Sequence, residues 1–187
     1  FVLFSLSFAG TYQEAVDAYK IGQYDIAAEI WLSLAEDGDP ESQRELAFMY
    51  QQGKGIQQNY KKAVFWYTQA AEQGNHSAQF NLATMYRFGK GVPVDSNLML
   101  KWYSAAARGG HEWAQMELGG VYRLGEGVEK NPAKSYFWLG LAAKKGNSRA
   151  EKIKNLISKK MSSDQIEQIN QNLEKCIAKN LIDCDIP

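Results

Sequence analysis

The sequence predicts an all-α fold, a right-handed α/α superhelix (solenoid) of helix–turn–helix repeats that ends in capping helices. Three observations predict it: an internal repeat, apolar residues at helical spacing within each repeat, and a composition suited to closely packed helices. Of the 187 residues, 45% are apolar and only four are proline. A chain of this length is enough for one domain of ordinary size, which we place at residues 10–187.

The internal repeat has a period of 36 residues and needs no insertions. Tyrosine, glycine and tryptophan recur in register, as Tyr50, Tyr86 and Tyr122, as Gly53, Gly89 and Gly125, and as Trp66, Trp102 and Trp138. The period predicts full repeats over residues 39–74, 75–110 and 111–146. One such unit cannot bury both of its faces, so stability has to come from stacking on neighbouring units.

Each repeat is expected to contain two helices separated by a glycine turn. In the second repeat, Asn75 is a good N-cap for the first helix, and Leu82 and Met85 follow at helical spacing. Gly89 can adopt the left-handed conformation that ends this helix. Asp95 is then the expected N-cap of the second helix. The recurring tryptophans, tyrosines and paired alanines are expected to be core residues.

Shorter elements are predicted at the two ends of the chain. Residues 11–38 form a shorter N-terminal repeat, residues 147–180 form C-terminal capping helices, and residues 181–187 form a tail. Ser162 followed by Gln165 is a capping-box pattern for the last helix. The single apolar stripe of that helix suits an element that closes a solenoid.

Residues 1–9 are typical of the end of a signal peptide, because an apolar run leads into the small-x-small pattern Ser7-Phe8-Ala9. We therefore expect an exported protein, periplasmic or secreted, whose mature chain begins at or near Gly10. The alternative is that this run is the apolar start of the first helix. It is too short to span a bilayer, and no integral membrane segment is predicted in the mature chain.

Residues 82–110 contain Leu-Ala-x-Met-Tyr-x-x-Gly-x-Gly-Val, then an aspartate, then Trp-Tyr-x-x-Ala-Ala-x-x-Gly. This unit resembles the Sel-one-like repeat (SLR) family, α-solenoid relatives of the tetratricopeptide repeats, and residues 11–38 look more tetratricopeptide-like. Leu139, in place of the second aromatic residue, is a mild departure that should not change the fold. The resemblance implies a non-enzymatic scaffold or adaptor that binds a protein or peptide partner, without identifying that partner.

A second function considered is an exported enzyme that binds or hydrolyses β-lactams, because some cysteine-rich relatives have been linked to that chemistry. In those relatives, pairs of cysteines with seven residues between them form a disulfide in each repeat. Here two cysteines with seven residues between them occur once, as Cys176 and Cys184 near the C-terminal end, and the repeats contain no cysteine. In an oxidising compartment these two cysteines could form a disulfide; the alternative is two unpaired thiols.

No catalytic residue, cofactor or metal site is predicted. No serine is followed three residues later by lysine, so the serine-lactamase motif is absent. Two cysteines and the remote His76 and His111 are too few for a zinc site. The Gly-Lys-Gly triplets at 53–55 and 89–91 lack the spacing of a phosphate-binding loop and are predicted to be turns. Equal numbers of basic and acidic residues, 21 of each, argue against a nucleic-acid partner.

The predicted binding surface is the side of the first helices that varies between repeats, which would line the concave groove of a solenoid. It is rich in aromatic, methionine and arginine side chains, the types that dominate interaction hot spots. Its members are Arg44, Phe48, Phe80, Thr84, Arg87, Trp113, Met116 and Arg123. Phe88 and Leu124 share this phase, but they could instead cover the loop between the helices. The groove could hold an extended peptide or a helix of the partner.

Charge is distributed unevenly along the chain. Residues 1–48 contain nine acidic and two basic side chains, a net charge of about −7. Residues 144–160 contain seven basic and one acidic side chain, a net charge of about +6. This asymmetry favours head-to-tail contacts or steering of a charged partner, although solvated helix faces would also explain it.

Overall fold

The computed structural model describes residues 10–179, and every regular element in that part of the chain is a helix. In chain order the helices are α1 (Tyr12–Lys20), α2 (Tyr24–Glu36), α3 (Pro40–Gln52), α4 (Tyr60–Glu72), α5 (His76–Phe88), α6 (Ser96–Arg108), α7 (Glu112–Leu124), α8 (Pro132–Lys144), α9 (Ser148–Ser158) and α10 (Ser163–Ala178). The all-α class predicted from the sequence is confirmed. Each predicted full repeat contains two of these helices.

The described residues divide into two compact units, residues 10–94 and residues 95–179. The division falls within the second predicted repeat, between its two helices. In the first unit each helix from α1 to α5 packs on the next one along the chain. In the second unit α6 to α9 follow the same order, and α10 returns to pack on α8.

Polar N-caps begin the helices where the sequence predicts them. The Asn75 side chain accepts a hydrogen bond of 2.9 Å from the Ala78 amide, and the Asp95 carboxylate accepts two from the first turn of α6. His111 caps α7 through Nδ1, which accepts from the Ala114 amide at 3.3 Å. Ser162 begins α10 with the predicted capping box. These bonds satisfy amides that have no partner within their own helix.

Glycine ends the first helix of each full repeat. Gly89 follows α5 with a φ of +65°, a left-handed conformation that is costly for any residue with a Cβ. Gly91, two residues later, has a φ of +77° and also lies against the backbone of Tyr60. The Gly-Lys-Gly triplets therefore form turns, as predicted.

The core is built from small and large side chains that recur with the repeat. Trp102 and Trp138 are buried as predicted, whereas Trp66 is only partly buried and corrects that prediction for the first repeat. The deeper position is the next residue, occupied by Tyr67, Tyr103 or Leu139, each of which is at most 1% exposed. Tyr67 fills the interior of its repeat, and its hydroxyl donates to Gln51 Oε1 at 2.9 Å.

A ladder of buried glutamines also follows the 36-residue period. Gln43, Gln79 and Gln115 each donate a side-chain hydrogen bond to a carbonyl near the end of the preceding helix, at 3.1, 3.0 and 3.0 Å. The acceptors are the carbonyls of Ala35, Ala71 and Ala107. Each first helix is thereby tied to the last turn of the helix before it. The glutamine face of each first helix is turned inward, and the opposite face is left towards solvent.

Candidate interaction surface

Arg44 on α3 is held in an ionic network within the first unit. Its guanidinium pairs with Glu41 at 3.2 Å and also with Glu45. Tyr12 on α1 donates to the same Glu45 carboxylate at 3.2 Å. The Arg44 side chain is 23% exposed. It is therefore partly committed to holding α1 and α3 together.

The pKa values in this network follow from burial and charge. Burial lowers the pKa of Arg44, but the neighbouring carboxylates of Glu45 and Glu41 outweigh it and hold the value above the ordinary one. Burial raises the pKa of the Tyr12 hydroxyl, and the Glu45 carboxylate raises it further. Arg44 therefore stays charged and Tyr12 stays neutral at any physiological pH.

Phe48 on α3 and Phe80 on α5 are partly exposed aromatic residues of the first unit. Their positions carry different residues in the other repeats, so the packing of the repeat does not require an aromatic ring there. Thr84 lies one turn after Phe80, and its hydroxyl donates to the Phe80 carbonyl at 3.0 Å. The Thr84 hydroxyl is thus engaged within α5.

Arg87 and Phe88 form an adjacent pair at the end of α5. The Arg87 guanidinium lies 5.5 Å from the centre of the Phe88 ring, within the range of a cation–π contact. Phe88 is 61% exposed. The pair presents a cationic group and an aromatic face at the surface of the first unit.

In the second unit, Trp113 and Arg123 are exposed on α7, but they lie near opposite ends of the helix. At about 1.5 Å per residue, roughly 15 Å of helix separates them, so they belong to different parts of this surface. Trp113 is 54% exposed, and Leu124, beside Arg123, is 51% exposed.

Met116 corrects the predicted surface, because it is a core residue of the second unit. It is only 5% exposed and packs in a cluster with Leu139, Ala142 and Ala150. Ile153, on the helix that follows the last full repeat, contacts the same cluster. The equivalent position of the preceding repeat carries Phe80, which is partly exposed. The same position of the repeat is therefore buried in the last full repeat, where the capping helices begin, and partly exposed in the one before it.

A groove that the sequence did not predict lies at the Arg123 end of α7. It has a volume of about 570 Å³ and is lined by Arg123, Pro132, Leu156, Ile157, Lys159 and Lys160. We call it the basic groove. Leu156 is 62% exposed and supplies an apolar side chain to this otherwise cationic lining. An exposed leucine next to a run of lysines was the available sequence signal, but nothing in the sequence placed it beside Arg123.

A second groove, of about 600 Å³, lies in the first unit beside the second helices α2 and α4. Phe65 and Trp66 line it with an edge-to-face ring contact at 4.9 Å between centroids. Glu36 and Glu72 give it acidic character. This groove lies beside the second helices of the repeats, whereas the predicted surface is on the first helices. Trp66 occupies the same position in its repeat as the buried Trp102 and Trp138, so the sequence could not show that it is partly exposed.

No arrangement for metal binding or membrane crossing is found in the part of the chain that the structure describes. Within residues 10–179, no three His, Cys, Asp or Glu side chains come together as metal ligands would. Over the same residues, no helix combines the length and the apolar character that crossing a bilayer requires.

Two predictions concern residues that the structure does not describe. Cys176 is buried on α10, but Cys184 lies outside the described residues, so the disulfide stays a prediction. The signal-peptide remnant over residues 1–9 also lies outside them.

The chain is similar to known repeat proteins over most of its length. The Sel1 repeat family model matches residues 40–75, 76–111 and 114–147. A Sel1 repeat protein from Oxalobacter formigenes is 32% identical with a TM-score of 0.72, over 75% of this chain and 58% of that one. A protective antigen of uropathogenic Escherichia coli strains that displays an SLR fold is 33% identical with a TM-score of 0.71, over 74% and 31%. No curated protein matches the sequence.

This chain thus spans less than two thirds of the length of either solved relative. The three matched segments coincide, within a few residues, with the repeats predicted from the 36-residue period. They confirm the solenoid class of the fold, and Sel1 repeats are typically protein-interaction scaffolds rather than enzymes. The chain belongs to the Sel1 repeat family.

Proposed function

We propose that the chain is an exported, non-catalytic scaffold that binds a protein partner through exposed side chains of its first helices, which are α3 and α5 in the first unit and α7 in the second. The main support is the exposure of aromatic residues at positions that the repeat leaves free to vary. Phe48 and Phe80 are partly exposed and Trp113 is 54% exposed. Such side chains bury a large area on binding at a small entropic cost, so they are typical of interaction hot spots.

The charged residues on the same helices support a partner with mixed apolar and polar character. Arg87 lies over an exposed aromatic ring in the first unit, and Arg123 lines the basic groove in the second. Arginine combines a planar apolar face with several hydrogen-bond donors, and it is enriched in protein interfaces for that reason. The partner is an extended peptide or a helix that offers apolar and acidic groups.

The experiment begins with affinity capture of the partner from the native cell envelope, followed by identification by mass spectrometry. Its affinity is then measured for the wild type and for Phe48→Ala, Phe80→Ala and Arg87→Ala. Each variant should keep the helical circular-dichroism signal and lose more than about 1 kcal/mol of binding free energy.

The matched control is Phe65→Ala, which removes a 54% exposed aromatic ring from the second helix α4. It should bind the partner as the wild type does. Normal binding by all three first-helix variants, together with loss of binding in the Phe65 variant, would show that the partner uses the other helices.

A further inference from the structure

The basic groove combines apolar and cationic side chains from three different helices. Arg123 comes from the end of α7, Pro132 from the start of α8, and the remaining lining residues from the end of α9 and the turn after it. Groups so far apart in sequence form a concave site of about 570 Å³. That volume suits a few side chains of a bound segment.

Leu156 is an apolar residue of the basic groove that lies outside the neighbouring core cluster. Leu156 is 62% exposed, whereas its neighbour Ile157 packs on the core cluster that contains Met116. A leucine that stays largely in solvent contributes little to stability, and a partner that covers it would remove apolar surface from water, which favours binding.

The cationic part of the basic groove is available to an anionic partner. Among the described residues, no ion pair engages Arg123, Lys159 or Lys160. Lys159 is the C-cap of α9, so a favourable interaction with the helix dipole explains part of this charge. Arg123 lies in the last turn of α7, where the same interaction applies to a second helix. The dipoles do not explain why both cationic helix ends and Leu156 line one concave site.

We infer that the basic groove binds a short acidic segment of the partner that carries a leucine-like side chain among its glutamates or aspartates. This inference rests on the proposed scaffold function and specifies the chemistry of the bound segment. The apolar side chain covers Leu156, and the carboxylates pair with Arg123 and the two lysines. An anionic membrane is less suitable, because the cationic and apolar side chains line a concave site rather than a flat face.

The probe is a fluorescein-labelled peptide of alternating glutamate and leucine, and its binding to the full chain is followed by fluorescence anisotropy. Leu156→Ser and the double variant Lys159→Glu/Lys160→Glu should each weaken binding about tenfold or more. The neutral variant Lys159→Gln/Lys160→Gln should weaken it less than the charge reversal does. Circular dichroism and thermal unfolding confirm that each variant is folded.

The matched control is Arg149→Glu/Lys152→Glu, which makes the same change of charge at exposed residues of α9 that do not line the groove. It should bind the peptide within about twofold of the wild type. Equal losses in the control and the groove variant would mean non-specific attraction and would overturn the inference. Absence of peptide binding would also overturn the inference. So would a polyglutamate peptide that binds as tightly as the glutamate-leucine peptide, with an affinity that Leu156→Ser does not change.

Phosphatidylglycerol vesicles provide a further arm. If the groove variants lose vesicle binding but leave peptide binding unchanged, the site is a membrane site and the inference is wrong. The proposed scaffold function is tested separately by the Phe48 and Phe80 variants. The partner affinity of these variants is measured independently of peptide binding at the basic groove, so either proposal can fail without the other.

Discussion

Glycine at position 91 serves two separate needs, a left-handed backbone and a close approach to a neighbouring helix. Its φ is +77°, and a Cβ placed there would lie 2.5 Å from the Tyr60 carbonyl. Gly74 has a similar φ of +88°, but nothing lies within 4 Å of the corresponding Cβ position. The two glycines therefore separate the cost of backbone strain from the cost of a steric clash.

We predict that Gly74→Ala lowers the free energy of unfolding by about 1–2 kcal/mol, the cost of a left-handed residue that has a Cβ. Gly91→Ala should cost roughly 1–3 kcal/mol more, because the turn must also move away from Tyr60. Urea unfolding of both variants measures the difference. Equal costs would contradict the close approach between this turn and the start of α4.

Residues whose role is set by the repeat itself were predictable, whereas residues whose role depends on what lies next to the repeat were not. Leu82 and Met85 are buried as their helical spacing predicts. The in-register Gln79 carried a similar signal, but its polar side chain concealed its buried position. Met116 and Trp66 have the same phase as residues elsewhere in the chain, yet their burial differs because their neighbouring helices differ.

The helices begin and end close to the predicted positions because their signals are local. N-caps, αL glycines and the apolar spacing all act within a few residues, so a sequence alone can reveal them. The basic groove depends on three helix ends that meet in space. No local pattern specifies that meeting, so this part of the surface required the structure.

The last helix offers a test of its capping box at the scale of one element. The Ser162 hydroxyl accepts from the Gln165 amide at 3.2 Å, and the Gln165 side chain accepts from the Ser162 amide at 3.1 Å. We predict that Ser162→Ala destabilises α10 by about 0.5–2 kcal/mol, seen as faster amide exchange in its first turn. Ser163→Ala, beside it on the exposed surface, should change exchange little. Similar effects of the two substitutions would show that the box does not hold the helix start.

Export concerns the whole molecule, and it determines where the scaffold meets its partner. The apolar residues before Ser7-Phe8-Ala9 motivate the prediction that the mature chain begins at or near Gly10. Cell fractionation with N-terminal mass spectrometry should find the processed chain outside the cytosol. A cytosolic protein that retains residues 1–9 would contradict it.

The charge distribution of the whole chain predicts how fast a charged partner associates with it. An acidic partner segment should be steered towards the basic stretch at 144–160, and salt should screen that attraction. The association rate measured by stopped flow should therefore fall from low to physiological ionic strength. An association rate that does not change with salt would mean that the charged residues are only solvated surface groups and do not steer the partner.

The most direct test of the scaffold assignment is hydroxyl-radical footprinting of the full chain with and without its captured partner. Aromatic side chains react readily with the radical, so the method reports the exposure of individual residues. We expect Phe48, Phe80 and Trp113 to become protected in the complex, while Phe65 on α4 keeps its reactivity. Protection of Phe65 with unchanged labelling of the three first-helix aromatics would contradict the proposal that the first helices bind the partner.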